Sequence, residues 1–428
     1  MPPPPSDRRS IWAWSLYDFA NSAFTTLVIT FIYATYFVKG IAADPTTGTV
    51  AWTWGVIVPS AILVALLSPL LGALADRTGT RKRALFVTTA VCVGATTLLF
   101  FPQRGDVVAA VLLVVVGNVA FELGQVFYNA FLPEIAPPDR IGRVSGWAWA
   151  LGYAGGLLCM GIALWFVQTT PFGLDPATGQ HVRVTNLLVA GWFALFSVPA
   201  FLFLREPKPE AAPDRRGLIA STFGELGNTF REIRRYRQIV RLLVARVFYN
   251  DGLVTIFAMG GIFAATAYGF NETDILVFGI VLNVAAGLGA FAFGFVDDKL
   301  GGKTTILISL AILCVATVAA VLGPTRAWLW GAGVLIGIAS GPNQAASRSL
   351  LGRFVPNDKE TEFYGFFAFS GKATAMIGPF MFGGLTALFD SPRAGIGAVL
   401  GLFALGAFFL LRVDESEGFE ARTLAPST

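Results

Sequence analysis

Twelve apolar runs, each long enough to cross a bilayer, constrain this chain more than anything else in its sequence. They lie at about 11–38, 52–75, 84–101, 108–135, 144–168 and 186–204, and after a polar stretch at about 238–267, 274–296, 304–322, 327–353, 362–388 and 394–412. About 20 apolar residues cover the hydrocarbon core, so twelve spans fit within 428 residues and leave short loops. Backbone left unpaired in lipid costs several kcal/mol per group, and a barrel would show alternating rather than continuous apolarity. The expected fold is therefore an all-α membrane protein with twelve transmembrane helices in two parallel six-helix halves. A content of 55% hydrophobic and 14% charged residues excludes an ordinary soluble domain.

Charge sets the expected orientation. With both termini on the cytoplasmic face, the inner segments hold 23 of the 31 Lys and Arg residues, whereas the outer loops hold five: Lys39, Arg104, Arg183, Arg326 and Arg393. The expectation is an integral protein of the plasma (inner) membrane with N- and C-termini cytoplasmic. The Pro-rich start carries Arg8 and Arg9 before an apolar run too long for a signal-peptide core, so the first span is expected to be retained. The domain reading is an N-terminal half 1–204, a linker 205–237, a C-terminal half 238–412 and a tail 413–428. In the linker, Leu218, Ile219, Phe223, Leu226, Phe230 and Ile233 recur at helical spacing opposite Arg231, Arg234 and Arg235. This predicts an amphipathic helix on the membrane surface rather than a nucleic-acid site.

Cys92, Cys159 and Cys314 all fall within apolar runs, and His181, the only histidine, reads as a solvated loop residue. That donor set supports neither a metal centre nor a disulfide framework, and no cofactor is expected. A Walker-type phosphate loop is absent too, so the reading is not an enzyme, and energy must come from a gradient.

The chain repeats itself. Gln125 and Gln344, Leu132 and Leu351, Pro137 and Pro356, Asp139 and Asp358, Gly146 and Gly365, and Gly152 and Gly371 are each 219 residues apart. Gly72, Asp76, Arg77, Gly79 and Arg81 match Gly294, Asp298, Lys299, Gly301 and Lys303 at an offset of 222. Six spans separate the copies, so both halves enter the membrane in one direction. Such repeats suit rocking of one half against the other around a midplane site.

The segment Gly72-Ala-Leu-Ala-Asp76-Arg77-Thr-Gly79-Thr-Arg81-Lys82-Arg83 sits between the second and third spans. It resembles the loop signature of the major facilitator superfamily, and 294–303 is its weaker echo. The resemblance implies that Gly72, Asp76, Arg77, Gly79, Arg81 and Asp298 latch the cytoplasmic side. The first span opens Trp12-Ala-Trp-Ser-Leu-Tyr17-Asp18-Phe19-Ala20-Asn21-Ser22-Ala23-Phe24. This is similar to the first helix of the Atg22-like (UMF1) branch of that superfamily, whose founding fungal members are associated with amino-acid efflux from the vacuole.

Residues inside the spans supply the candidate site. Tyr17, Asn21 and Thr25 share one helical face and Asp18, Ser22 and Thr26 the next, a polar stripe where a carboxylate costs about 2.5–3.5 kcal/mol on insertion scales. The seventh span offers Arg246, Tyr249, Asn250 and Asp251 at similar depth, and the fourth places Glu122, Gln125 and Asn129 on one face. Gln344 and Arg348 in the tenth and Lys372 in the eleventh complete the set. Three acids face three bases, with Asp18 and Glu122 read as proton or substrate handles, Asp251 as neutralising Arg246, and Arg348 and Lys372 as anchors for an anionic group. The functional expectation is a secondary transporter moving a small polar or zwitterionic solute, such as an amino acid, by alternating access and coupled to protons. Competing readings are a lipid or amphipathic-drug carrier and a non-transporting sensor or assembly factor. Expected partners are the small-molecule substrate, the lipid bilayer and protons, with a monomer as the simplest assembly.

Overall fold

The computed structural model describes residues 7–205, 224 and 235–423. Long helices follow one another as α1 Arg8–Ile41, α2 Pro45–Thr78, α3 Arg81–Leu98, α4 Val107–Ile135, α5 Ile141–Thr169 and α6 Gln180–Phe203. They continue as α7 Arg237–Tyr268, α8 Glu272–Leu300, α9 Gly302–Leu322, α10 Arg326–Phe354, α11 Glu360–Phe389 and α12 Pro392–Leu411, with a short α13 at Glu415–Thr423. Among the described residues, ten helices are long and apolar enough to span a membrane. The other two, α3 and α10, fall short for visible reasons. The first has 18 residues and opens with Arg81, Lys82 and Arg83, and the second is crossed by the polar run from Ser340 to Arg348. The amphipathic linker helix expected over 218–233 lies, Gly224 aside, outside the described residues.

Local chemistry sets the helix ends. Asp44 accepts the Thr46 and Thr47 N–H groups ahead of Pro45, and Asn271 and Asp274 form a reciprocal capping box that starts α8. Gly79, at φ +61°, ends α2 in a left-handed turn that an L-side chain rarely adopts, which is what this loop glycine is for. Widened π-helical turns run through Phe24–Phe31 in α1, where the polar stripe continues. His181, expected in a solvated loop, instead sits half-buried in the first turn of α6, and Arg81, read as loop, is the buried first residue of α3.

Buried apolar side chains form two clusters. One runs from Trp14 to Leu204, and the other draws mainly on Tyr236 to Val413, with Val126 and Ala130 of α4 joining it. The two sets of six helices meet along α2 against α11 and α5 against α8. Both crossings rely on repeat-related glycines. A Cβ at Gly365 would strike the Ser68 carbonyl of α2, and one at Gly146 would strike the Ala290 carbonyl of α8. Ser68 and Ala290 are themselves 222 apart, so the two crossings have the same geometry.

Candidate functional site

The end of the bundle that carries Arg8 and Leu411 is here called the terminal side. A cavity of about 770 Å³ occupies the other half of the bundle and reaches the middle, where Ser22, Trp149, Ser340 and Gln344 line it. Its wall includes Thr25, Thr26 and Thr30 from the widened turns of α1, together with Asn283, and no lining residue carries a charge. Of the polar residues that the sequence singles out, Ser22, Thr25 and Thr26 of the α1 stripe and Gln344 line it, whereas none of the predicted charged residues does.

The charges lie on the terminal side of this cavity and bridge the two helix sets. Arg348 Nη1 of α10 donates to Asp18 Oδ2 of α1 at 3.0 Å and to Asn129 Oδ1 of α4 at 3.2 Å. Its Nε donates to Ser145 Oγ at 2.9 Å and its Nη2 to the Ser145 carbonyl at 2.8 Å. The guanidinium carbon sits 4.7 Å from the Trp14 ring centre and 5.6 Å from that of Trp149, which roofs the pair from the cavity. Both partners are nearly dry, at 4% and 10% exposure. Removing one partner of such a pair costs about 3–5 kcal/mol, because the other stays buried and uncompensated. Lys372 Nζ of α11 donates to Glu122 Oε1 of α4 at 2.6 Å, with 31% and 19% exposure. Asn21 donates weakly to Asp18 at 3.4 Å, while Gln125 lies half-buried on the α4 face between Glu122 and Asn129.

Two expected roles are corrected by the geometry. Arg246 is not neutralised by Asp251: five residues along a helix turn side chains well apart, and Arg246 Nη1 donates to the Phe367 carbonyl at 2.8 Å and Ser370 Oγ at 3.0 Å. Asp251 Oδ2 accepts instead from the Gly378 N–H at 2.8 Å. Tyr17 does not face the cavity either. Its hydroxyl pairs with Thr89 Oγ1 at 2.7 Å, and its ring stacks on Tyr128, which stacks on Trp14. Tyr249 similarly pairs with Ser347 at 2.7 Å, and Gln344 reaches Asn250 at 3.1 Å.

Closer to the terminal side, the loop signature grips the opposite helix set. Asp76 accepts the Thr361 and Glu362 N–H groups at 3.1 and 2.8 Å and the Thr361 hydroxyl at 2.5 Å, an anion seated on the N-terminus of α11. Arg81 holds Asp76 at 2.9 Å, Glu134 at 2.5 Å and Glu360 at 3.1 Å. Gly72 permits this approach, since a Cβ there would collide with the Thr361 carbonyl. The repeat-related Asp298 accepts the Arg143 N–H at 3.1 Å and Nε–H at 2.9 Å at the start of α5. Arg77 lies in the last turn of α2. Lys303, the counterpart of Arg81, turns to the chain end instead, where its Nζ donates to the Val413 carbonyl at 2.6 Å.

Sequence reasoning did not single out Ser145, Glu360, Thr361 or the buried Asp297, Ser349 and Arg353 cluster, in which Arg353 Nη1 meets Asp297 Oδ1 at 2.5 Å and the Ser349 hydroxyl donates to Asp297. Extending the 219-residue repeat reveals part of this, because it pairs Glu134 with Arg353 and Asn129 with Arg348, all four of which take part in the polar contacts described above. Among the described residues, no group of three or more metal-ligating side chains comes together.

Comparisons with known proteins agree with the fold. The family profile described as "Vacuole effluxer Atg22 like" matches residues 56–422. The uncharacterized MFS-type transporter YxiO of Bacillus subtilis (strain 168) is 27% identical over 420 residues, 94% of each chain. Autophagy-related protein 22 of Coccidioides immitis (strain RS) is 24% identical over 267 residues, covering 56% of this chain and 44% of that protein, so less than half of the fungal relative is matched. Among solved structures, the human organic anion transporter MFSD10 (TM-score 0.75, 14% identity, 95% of this chain and 100% of that one) shares the fold. So does the proton:xylose symporter XylE (TM-score 0.73, 14% identity, 98% of both chains). The chain therefore belongs to the Atg22-like vacuole-effluxer family and is an integral membrane transporter of the major facilitator type rather than an enzyme.

Proposed function

We propose that this protein is a secondary active transporter that moves a small polar or zwitterionic solute, such as an amino acid, by alternating access coupled to protons. The observation that carries the reading is the pair of cross-bundle contacts, Asp18 with Arg348 and Glu122 with Lys372, lying beneath a 770 Å³ cavity. Contacts that join the two helix sets on one side only are what a rocking cycle must make and break. The solute enters from the far side, meets the hydroxyl and amide groups of Thr25, Thr26, Asn283 and Gln344, and presents its charges toward Trp149 and the Asp18–Arg348 pair. Competition for these charges loosens the closure, and Asp76, Arg81 and Asp298 then release the terminal side.

In this reading residues 1–204 and 238–412 are the two moving halves, all twelve long helices span, and 205–237 is the linker between them. The bias of positive charge supports a cytoplasmic terminal side, and the reading takes the membrane to be the plasma membrane and the protein to work as a monomer on a small-molecule substrate, without nucleic acid. The largely apolar, uncharged cavity wall favours a second reading, in which the solute is an amphipathic molecule or lipid.

The test is flux of amino acids, organic acids, sugars and amphipathic dyes into liposomes that hold the purified protein under an imposed pH gradient. Asp18→Asn and Glu122→Gln are compared with the unmodified chain. Flux of a zwitterion that collapses in both variants supports the proposal. Flux of dyes alone supports the second reading, and no flux of any solute removes both.

A further inference from the structure

The three acids inside the spans are not equivalent. Asp18 has Arg348, Glu122 has Lys372, and the remaining cation, Arg246, is committed to the Phe367 carbonyl and Ser370. Asp251 is left without a cation among the described residues, at 2% exposure. Its Oδ2 accepts the Gly378 N–H, and its Oδ1 has no partner among the described residues. A lone ionised carboxylate in a low-dielectric interior is expensive, and taking up a proton is the ordinary way to remove that expense.

The same carboxylate sits at a break in α11. The first helical segment stops at Lys372, the chain turns through 373–376, and a second segment runs Ile377–Phe389. Helix α7 grips both sides of this break: Asn250 donates to the Gly371 carbonyl at 3.3 Å before it, and Asp251 takes the Gly378 N–H after it. Within the break, the Thr374 hydroxyl reaches the Val247 carbonyl at 3.4 Å. An ionised Asp251 holds the positive end of the second segment, and a protonated one holds it weakly. Six residues before Gly378, Lys372 closes on Glu122.

The charged and titratable groups on the elements packed around Asp251 are few. On α7 they are Arg246 and Tyr249, whose hydroxyl pairs with Ser347, with Arg237, Arg241 and Tyr268 toward the helix ends, and on α10 Arg348, paired with Asp18 of α1, with Arg326 and Arg353 toward the helix ends. On α11 they are Lys372 beside the break and Glu360, Glu362 and Tyr364 near the helix start, while α12 carries none between Arg393 and Arg412 and α8 none between Asp274 and Asp297.

We propose that Asp251 is the group that binds and releases the coupled proton, and that the break in α11 passes its protonation state to the Glu122–Lys372 contact. A proton from water forms an O–H bond on Asp251, the Gly378 N–H loses its anionic acceptor, and the two segments of α11 shift against α7. The proton returns to water when the bundle opens the other way. The coupling role rests on the transport reading, whereas the protonation itself does not.

The test is infrared difference spectroscopy of the purified protein in nanodiscs during a pH titration, read at the protonated-carboxyl stretching band. The unmodified chain is expected to gain this band on acidification, Asp251→Asn to lose it, and Asp18→Asn and Glu122→Gln to keep it. Should Asp251→Asn fail to fold, Asp251→Glu serves, and the band is expected to move in position. A band unchanged in Asp251→Asn or unmoved in Asp251→Glu overturns the proposal, as does a chain that shows no such band. If the band behaves as expected and no solute crosses the membrane, the proton site stands and the transport reading fails.

Discussion

Replacing Asp76 with Asn is the sharpest test of the loop latch, because shape is kept and one charge is removed. Asp76 Oδ1 takes Arg81 and Thr361, and its Oδ2 takes the Glu362 N–H at 2.8 Å, with the side chain 6% exposed. With an amide, one of these oxygens becomes an NH₂ group that faces another donor. A buried donor left unsatisfied costs about 1–3 kcal/mol. Losing the anion at the α11 N-terminus removes a further contribution of about 0.3–1 kcal/mol. Together these weaken the closed state by about 1.3–4 kcal/mol, since the contact exists only there, which is about tenfold to a thousandfold in the closed-to-open ratio. Arg81 keeps Glu134 and Glu360, so the fold itself is expected to survive. Spin labels at Asp139→Cys and Asp358→Cys, both exposed on the terminal side, read the separation in a background free of Cys92, Cys159 and Cys314. The expected result is a longer-distance population that grows strongly in Asp76→Asn. Superimposable distributions would refute the latch.

Other outcomes follow from the same geometry. Asp298→Asn should open the terminal side less, by about 1 kcal/mol, because its partner Arg143 is 32% exposed and water can replace the lost contact; the same labels compare the two. Gly365→Ala and Gly146→Ala should each cost about 1–3 kcal/mol and lower the unfolding temperature in detergent, whereas Gly401→Ala, which faces open space, should leave it unchanged. Helix α13 should dock in a pH-dependent way. Its Glu417 carboxyl is held below the usual range by hydrogen bonds from Arg237 first and also from Gln238. A depressed carboxylate contributes fully at neutral pH and loses that contribution as pH falls through its folded value. Hydrogen-exchange protection over 415–423, taken relative to the intrinsic rate at each pH, should therefore fall on acidification below the ordinary carboxylate range, and a flat profile would count against the docking.

The sequence carries the helices, the repeat and the loop signature because each depends on order along one dimension. Continuous apolar runs mark spans, and fixed offsets mark the copies, whatever the helices later touch. What stays hidden is rotation about each helix axis and the choice of partner across the bundle. Asp18 and Arg348 are 330 residues apart, and nothing in their spacing says that they meet, while Arg246 and Asp251 are near neighbours that do not. Tyr17 belongs to the polar stripe by periodicity, yet its depth of packing against Thr89 and Tyr128 turns it inward. Arg81 reads as a loop charge because charges ordinarily stay wet, and here it is buried because Asp76, Glu134 and Glu360 surround it. The cavity itself is half legible: Ser22, Thr25 and Thr26 show in the stripe, but on the uncharged wall of α7 and α8 the lone polar Asn283 has no pattern around it to reveal it.

The most direct test of the account is a charge swap across the bundle, read as solute flux in proteoliposomes. Glu122→Lys and Lys372→Glu each set like charges against one another, and the double variant restores the pair in reverse at a site 31% and 19% exposed, where either order can be solvated. The account predicts that each single variant loses flux and that the double variant recovers much of it. Single variants that move solute as well as the unmodified chain, or a folded double variant as inactive as the singles, would contradict it.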